Sequence, residues 1–219
     1  MLMVTTGGPL VREVRFPADS VELEGTLALA PEASAIVLFA HGAGSSRFSP
    51  RNRLVAGVLR EAGLGTLLFD LLTASEEVDR AAVFDIPLLA RRLIAATRWF
   101  QRNPETAGLR IGYFGASTGA AAALIAAAEL GDEIGAVVSR GGRPDLAADR
   151  LGDVRAPTLL IVGGEDEPVL SLNREAFERL GGEKELVVIP GATHLFEEPG
   201  ALEQVAAFAR DWFVRHLQA

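Results

Sequence analysis

The sequence predicts an α/β fold in which a mostly parallel sheet of eight strands is covered by helices on both faces. Short apolar segments of β type alternate along the chain with segments of helical periodicity, which is the pattern of βαβ units. Several of the β segments are continuously apolar, as expected for strands that are buried on both faces. At 219 residues, with 49% hydrophobic and 23% charged residues, the chain suits one domain over residues 1–219.

The predicted strands differ in pattern between the start of the chain and the rest. The first two alternate in residue type and lie close together, so we expect them to form an antiparallel pair. The others are short and mostly apolar, as central parallel strands should be. The eight strands are predicted at Leu10–Phe16, Val21–Leu29, Ala35–Ala40, Thr66–Phe69, Leu109–Phe114, Gly135–Ser139, Thr158–Val162 and Glu185–Ile189.

Helices are predicted in the connections between these strands. They are expected at Pro50–Ala62, Asp85–Arg102, Ala120–Leu130, Leu170–Leu180 and Leu202–Leu217. The connection between the sixth and seventh strands, Arg140–Pro157, has room for one short helix near Asp145–Leu151. We therefore expect an open cleft with no large lid.

Composition excludes several classes of function. The net charge of −8 and the absence of any Lys/Arg run argue against a nucleic-acid partner. Without cysteine there are no disulfides, thiolate metal sites or cysteine nucleophiles. Met1–Gly8 lacks the basic and apolar regions of a secretory signal, and the longest apolar stretch, around Ala120–Ala128, is too short to span a membrane. We expect a cytoplasmic protein without a membrane partner.

The pentapeptide Gly115–Gly119, with the sequence G-A-S-T-G, is the strongest functional signal. It lies between the strand Leu109–Phe114 and the alanine-rich helix Ala120–Leu130, the setting of a nucleophile elbow. Such a turn strains the serine backbone and needs small neighbours so that strand and helix can approach. We predict Ser117 as a nucleophile and the N–H of Thr118, at a helix N-terminus, as an oxyanion donor. The alternative is a glycine-bracketed structural turn.

A serine nucleophile needs a base, and the chain has three histidines. His194 follows the strand that ends at Ile189, which places it at the same edge of the sheet as Ser117. His216 lies near the end of the last helix and is expected at the surface, while His41 is expected to brace a loop. His194 is therefore the predicted base, its alternative being a loop histidine that caps a helix.

The predicted acid is Asp166, which lies in the carboxylate-rich turn after the strand Thr158–Val162. Its role is to orient His194 and stabilise the imidazolium. Asp145 is a weaker alternative. The chain order Ser117, Asp166, His194 is the order of nucleophile, acid and base in proteins that carry a nucleophile elbow.

A second glycine-rich turn, His41–Gly44, follows the strand Ala35–Ala40. Backbone N–H groups in such a turn can face a developing oxyanion, so the N–H of Ala43 is predicted to complete the hole with that of Thr118. A phosphate cradle is the alternative for this turn. No G-K-[ST] or G-x-G-x-x-G motif accompanies it, which weighs against that reading.

With these motifs in order, the chain resembles the α/β-hydrolase fold, and more closely the dienelactone-hydrolase-like serine hydrolases. The resemblance rests on His41–Gly44, Gly115–Gly119, Gly164–Asp166 and Gly191–His194 and covers nearly the whole chain. Dienelactone hydrolase proper uses a cysteine nucleophile, whereas this chain has serine, so the resemblance implies ester hydrolysis. Similar sequences also occur joined to phosphoribosyltransferase domains.

Residues at the same edge suggest how a substrate binds. Arg140, Arg143 and Arg47 are candidates for binding a carboxylate or phosphate of an anionic ester, because guanidinium groups form bidentate pairs with such anions. The alternative is that they pair with nearby carboxylates of the protein. Leu71 and Leu72, after the fourth strand, are predicted to line the cleft.

The sequence therefore predicts a serine carboxylesterase that acts on small or solvent-accessible esters through an acyl-enzyme, with no metal and no organic cofactor. Acyl transfer, thioester hydrolysis or perhydrolysis on the same triad is an alternative, since the acceptor depends on access to the pocket. A non-catalytic binding domain of the same fold is another, because fold alone does not establish function.

Overall fold

The computed structural model describes residues 10–30 and 32–218, and one sheet of eight strands forms its centre. The interpretation of Met1–Gly8 concerns residues outside this described part. The strands are β1 (Leu10–Ala18), β2 (Val21–Leu29), β3 (Ala35–Ala40), β4 (Gly65–Phe69), β5 (Arg110–Ala116), β6 (Ile134–Arg140), β7 (Thr158–Gly163) and β8 (Lys184–Ile189).

The order of strands in the sheet is β1-β2-β4-β3-β5-β6-β7-β8. β1 pairs with β2 in antiparallel register from Leu10 opposite Leu29 to Ala18 opposite Val21, and β2 pairs with β4 in the same sense. All pairings from β4 to β8 are parallel. The predicted fold class, including the antiparallel start, is confirmed.

Helices cover the sheet on both faces. The helices are α1 (Pro50–Glu61), α2 (Arg80–Val83), α3 (Ile86–Arg102), α4 (Thr118–Leu130), α5 (Glu167–Arg179) and α6 (Ala201–Leu217). Side chains of α3, α4 and α5 share one apolar core with one face of the sheet, and side chains of α1 and α6 share a second core with the other. The small side chains of α4, Ala120–Ala123 among them, are fully buried, which lets this helix lie close to the sheet.

Two local features differ from the expectation. The segment predicted as a short helix is a 3₁₀ segment, Pro144–Asp153, interrupted at Ala147, whose φ of −111° is not helical. The short helix α2 has no counterpart in the prediction; Asp79 begins it by accepting a hydrogen bond from the N–H of Ala81. Since this 3₁₀ segment is the only insertion between β6 and β7, the molecule carries no large lid there.

The parallel strands place their following loops at one edge of the sheet, which we call the carboxyl edge. The loops after β3, β4, β5, β6, β7 and β8 all begin there. Among the described residues, no helix combines the length and apolar character needed to cross a bilayer.

Candidate active site

The turn after β5 holds Ser117 in a strained conformation. Its φ of 51° and ψ of −123° lie outside the regions that side-chain-bearing residues normally adopt. The flanking glycines allow the backbone to close around it. A methyl group on Gly119 would lie 2.1 Å from the carbonyl oxygen of Ala40, and one on Gly115 would lie 2.4 Å from Cα of Ala120. The G-x-S-x-G spacing is therefore a steric requirement of this turn.

Asp166 and His194 are joined by a hydrogen bond at the carboxyl edge. His194 Nδ1 lies 2.6 Å from Asp166 Oδ2. Asp166 occupies the N-cap position of α5, but its carboxylate makes no capping bond and turns to the imidazole instead. The loops are also tied by their backbones, since the N–H of Glu165 donates to the carbonyl of Ala192 at 2.9 Å. The predicted acid and base, 28 positions apart in sequence, thus meet.

Ser117 and His194 border the same short segment at the end of β6, Arg140–Arg143. The N–H of Ser117 donates to the carbonyl of Arg140 at 3.3 Å, and the N–H of Arg143 donates to the carbonyl of Ser117 at 3.1 Å. Between these two arginines, a methyl group on Gly141 would lie 3.5 Å from Cε1 of His194. The Ser117 hydroxyl is half-buried and makes no hydrogen bond within the described part of the chain.

The predicted oxyanion donors are linked to each other. Thr118 is buried, and its hydroxyl oxygen accepts a hydrogen bond from the N–H of Ala43 at 3.0 Å. The sequence predicts that both backbone N–H groups face the substrate; in this structure the Ala43 group faces the Thr118 hydroxyl. The bond fixes the turn after β3 against the start of α4, so Thr118 touches both halves of the predicted hole.

His41 lies where the sequence predicts a bracing residue. Its Nε2 accepts a hydrogen bond from the N–H of Leu71 at 3.2 Å, and its Nδ1 lies 3.1 Å from the carbonyl of Gly42. A ring that accepts at Nε2 and donates at Nδ1 is neutral, so the 3.9 Å separation of Nε2 from Asp70 is not an ion pair. His41, Asp70 and Glu77 approach within 4.8 Å of one another, but the Nε2 lone pair and the Asp70 carboxylate already have partners.

A cavity of about 260 Å³ lies beside the turn after β3. Gly42 and Ala43 form one wall, and the predicted cleft residues Leu71 and Leu72 form another, both buried. Ser117 does not itself line this cavity. Gly42 lies between the cavity and Ser117, since it lines the cavity and a methyl group on it would lie 2.9 Å from Cβ of Ser117.

Two of the three predicted anion-binding arginines are held by carboxylates of the protein. Arg143 makes a bidentate pair with Asp145, at 2.8 and 2.7 Å, and the hydrogen bonds to that carboxylate raise the pKa of Arg143. Arg47 binds Asp70 and, at 2.8 Å, Glu24. Burial opposes the charge of Arg47, but the bonds to Asp70 and Glu24 outweigh it and raise the pKa. Local pairing, the alternative left open by the sequence, is what these two residues show.

Arg140 behaves differently. Its side chain is 8% exposed, and its Nε and Nη1 are buried with no hydrogen-bond partner in the described part of the chain. Burial, together with the nearby charge of Arg51, lowers its pKa to about 10. On β6, Arg140 lies on the opposite face of the sheet from Val137 and Ser139. Its neighbour on its own face, Val138, belongs to the core under α1 and α6. It is therefore placed beneath the carboxyl edge, and it does not line the cavity beside Ala43.

Two further features of the site were not singled out by the sequence prediction. One is the hydroxyl of Thr118, which was considered only for its backbone N–H. The other is Glu77, which lines the cavity from the segment between β4 and α2. The signal for Glu77 was its position in the connection that follows β4 at the carboxyl edge, eight positions after Phe69, where Leu71 and Leu72 were already expected.

Comparison with known proteins agrees with this architecture. The model of the family described as "Dienelactone hydrolase family" matches residues 65–218. The crystal structure of a dienelactone hydrolase from Anabaena variabilis is 57% identical with a TM-score of 0.94, covering 96% of this chain and 100% of that one. An esterase from Pyrococcus furiosus shares the fold, at 20% identity and a TM-score of 0.79, with 95% of this chain and 92% of that one covered.

A curated relative from Mycobacterium tuberculosis has a different name. It is 61% identical over 205 residues, which are 94% of this chain and 46% of that protein, and it is provisionally named a phosphoribosyl transferase. The chain thus spans about half the length of the curated relatives it matches.

Proposed function

Because the chain belongs to the dienelactone hydrolase family, we propose that it is a serine hydrolase that cleaves carboxylic esters of small or solvent-accessible substrates through an acyl-enzyme. The observation that carries the proposal is the 2.6 Å bond between Asp166 and His194 at the edge of the sheet where the strained Ser117 lies. Serine alone is a weak nucleophile, and a neighbouring imidazole held by a carboxylate is what activates it.

In the proposed reaction, Ser117 Oγ attacks the ester carbonyl while its proton passes to Nε2 of His194. Asp166 keeps the Nδ1 proton in place and stabilises the imidazolium. The charge that develops on the carbonyl oxygen is stabilised by the N–H groups of Thr118 and Ala43. In this step the Ala43 N–H is shared between the substrate oxygen and the Thr118 hydroxyl. The imidazolium protonates the leaving alcohol, and a water molecule releases the acid by the same sequence of proton transfers.

The free hydroxyl of Ser117 fits this scheme. Hydrogen bonds between a nucleophile and its base are often long in unliganded enzymes and shorten in the substrate complex. Ser117 and His194 border the same segment, Arg140–Arg143, and the scheme requires their side chains to come within hydrogen-bond distance in the substrate complex. The absence of a large insertion between β6 and β7 supports access for small esters without activation at a lipid interface.

The name of the mycobacterial relative is not carried over to this chain. It belongs to a protein of about twice the matched length, and the site described above supports acyl chemistry at Ser117. Acyl transfer, thioester hydrolysis and perhydrolysis use the same acyl-enzyme and differ in the acceptor or the leaving group. Adding an alcohol or hydrogen peroxide to the assay and analysing the products separates them from simple hydrolysis.

The test is the hydrolysis of 4-nitrophenyl esters of increasing acyl length by the purified chain and by variants. We expect activity on short acyl esters that falls by about 10³-fold or more in Ser117→Ala and in Asp166→Asn. Glu165→Gln is the matched control, since it removes an exposed carboxylate next to Asp166 that makes no ion pair among the described residues. Full activity in Ser117→Ala, or equal losses in Asp166→Asn and Glu165→Gln, would overturn the proposal.

A further inference from the structure

We propose that the cavity beside Ser117 selects substrates by charge, favouring esters with neutral or cationic groups over anionic ones, and that Glu77 sets this preference. This inference rests on the proposed esterase function and adds a substrate class to it. It differs from the expectation drawn from the sequence, in which three arginines favoured anionic esters.

The walls of the cavity are suited to an apolar group. Leu71, Leu72, Val83 and Leu89 line it on one side, and the turn after β3 lines it on the other. The predicted donor Ala43 is one of the residues that line the cavity. A substrate whose carbonyl oxygen reaches that N–H lies beside this space, and the inference places one of its two substituents there. The cavity volume of about 260 Å³ fits a short acyl chain or a small alcohol.

Glu77 is the charged group among the described residues that line this cavity. The other ionisable lining residue, His41, is neutral because its Nε2 accepts the hydrogen bond from Leu71. Glu77 is exposed and has no ion pair in the part of the chain that the structure describes. Its charge is therefore uncompensated where a substituent would leave the cavity.

The cations in the neighbourhood of Glu77 have other partners. Arg47, which lines the adjoining groove, is bound by Asp70 and Glu24, and Arg80, three positions after Glu77, lies over the ring of Phe84 at 5.8 Å. The groove that adjoins the cavity is lined by Glu22, Glu24 and Asp70 together with Arg47 and Glu77. Even with Arg15, which pairs with Glu24 at 3.0 Å, the four carboxylates outnumber the two guanidinium groups, and this excess of negative charge attracts cations and repels anions.

The effect of the Glu77 charge on kcat/KM depends on its distance from the charge of the substrate and on screening by salt. Unit charges several ångströms apart near a protein surface interact measurably, and the interaction is screened over about 8 Å at physiological ionic strength and about 3 Å at 1 M. We therefore expect removal of the Glu77 charge to change kcat/KM by about threefold for a charged ester, in opposite directions for cation and anion. The ratio of cationic to anionic kcat/KM should then fall by about tenfold.

The experiment compares matched esters in which only the charge differs. The acyl series is the 4-nitrophenyl esters of pentanoic acid, of succinic acid as its monoester, and of 4-(trimethylammonio)butyric acid. The alcohol series is the butyrate esters of choline and of its uncharged analogue 3,3-dimethylbutanol. Both series are measured with the wild type, Glu77→Gln and the control Glu203→Gln, which removes an exposed carboxylate on α6, on the opposite face of the sheet from Leu89.

In the series whose variable group enters the cavity, we expect the wild type to prefer the cationic ester, over the anionic ester in the acyl series and over the neutral ester in the alcohol series. Glu77→Gln should reduce the cationic-to-anionic ratio about tenfold or the cationic-to-neutral ratio about threefold, and Glu203→Gln should leave both unchanged. About 1 M salt should abolish the difference between wild type and Glu77→Gln. The inference alone would be overturned if the wild type hydrolyses the neutral esters but Glu77→Gln does not change the kcat/KM ratios between esters of different charge in either series. No Ser117-dependent hydrolysis of any ester would overturn the proposed function.

Discussion

The elbow after β5 and the turn after β3 both contain two glycines, but only the second turn has a glycine with open space around it. At the elbow, methyl groups on Gly115 and Gly119 would lie 2.4 and 2.1 Å from backbone atoms. In the turn after β3, a methyl group on Gly42 would lie 2.9 Å from Cβ of Ser117, whereas Gly44, with a φ of 70°, has no atom within 4 Å of the position of an added methyl. The elbow is therefore closely packed at both of its glycines, and the turn after β3 is closely packed at Gly42 but open at Gly44, where it borders the cavity.

This difference indicates how the two halves of the site are held. The strained Ser117 needs no hydrogen bond of its side chain to stay in place, because strand, helix and neighbouring strand enclose its backbone. The turn after β3 is also held by bonds to side chains: the N–H of Ala43 donates to the Thr118 hydroxyl, and the N–H of Leu71 donates to Nε2 of His41. The space for substrate therefore lies beside the turn after β3, which is held partly by polar side chains.

The largest effect is expected from Gly119→Ala. Its methyl group would meet the carbonyl oxygens of Ala40 and His41 at 2.1 and 2.5 Å, both backbone atoms that cannot move independently of the sheet. We expect a loss of more than about 4 kcal/mol in the free energy of unfolding, together with loss of esterase activity. Chemical denaturation followed by circular dichroism measures the first. A variant with nearly wild-type stability would contradict the steric account of the elbow.

An intermediate effect is expected from Thr118→Val, which keeps the shape of the side chain and removes the acceptor of the Ala43 N–H. The turn that carries the Ala43 donor is then no longer fixed against the start of α4, and kcat should fall by about tenfold with little change in KM, less than the loss caused by deleting an oxyanion donor. Thr118→Ser retains a hydroxyl and should restore most of kcat. Steady-state kinetics of the three proteins is the measurement, and equal impairment by valine and serine would refute the positioning role.

The smallest effect is expected from Gly44→Ala. No atom obstructs the new methyl group, so the cost is that of a φ of 70° in a residue with a Cβ, about 1 kcal/mol. For a chain of this size we expect Tm to fall by about 2–4 °C. Differential scanning calorimetry would show this, with kcat/KM within about threefold of wild type. A loss as large as that of Gly119→Ala would mean that the two turns do not differ as described.

Much of the fold and the position of the site could be predicted from the sequence. The loops of Ser117, Asp166 and His194 each follow an apolar strand, and parallel strands bring their carboxyl ends to one edge. Helix boundaries were less accurate: α5 begins at Glu167, three positions before the predicted Leu170, because Pro168 is compatible with the first turn of a helix.

Ion pairing could not be predicted in the same way. Arg47 pairs with Asp70 and Glu24, each 23 positions away, and only the folded arrangement of β2, β3 and β4 brings the three together. Arg143, by contrast, pairs with Asp145 two positions on, a local contact that the sequence could suggest. The bond between Ala43 and the Thr118 hydroxyl likewise depends on the approach of two turns that are 75 positions apart.

The most direct test of Ser117 as the nucleophile is covalent labelling of the purified chain with a fluorophosphonate, followed by intact mass measurement and peptide mapping. We expect a single modification on Ser117, slowed strongly in His194→Gln and absent in Ser117→Ala. A folded protein that is not labelled, or one labelled as fast after Ser117→Ala as before, would contradict it.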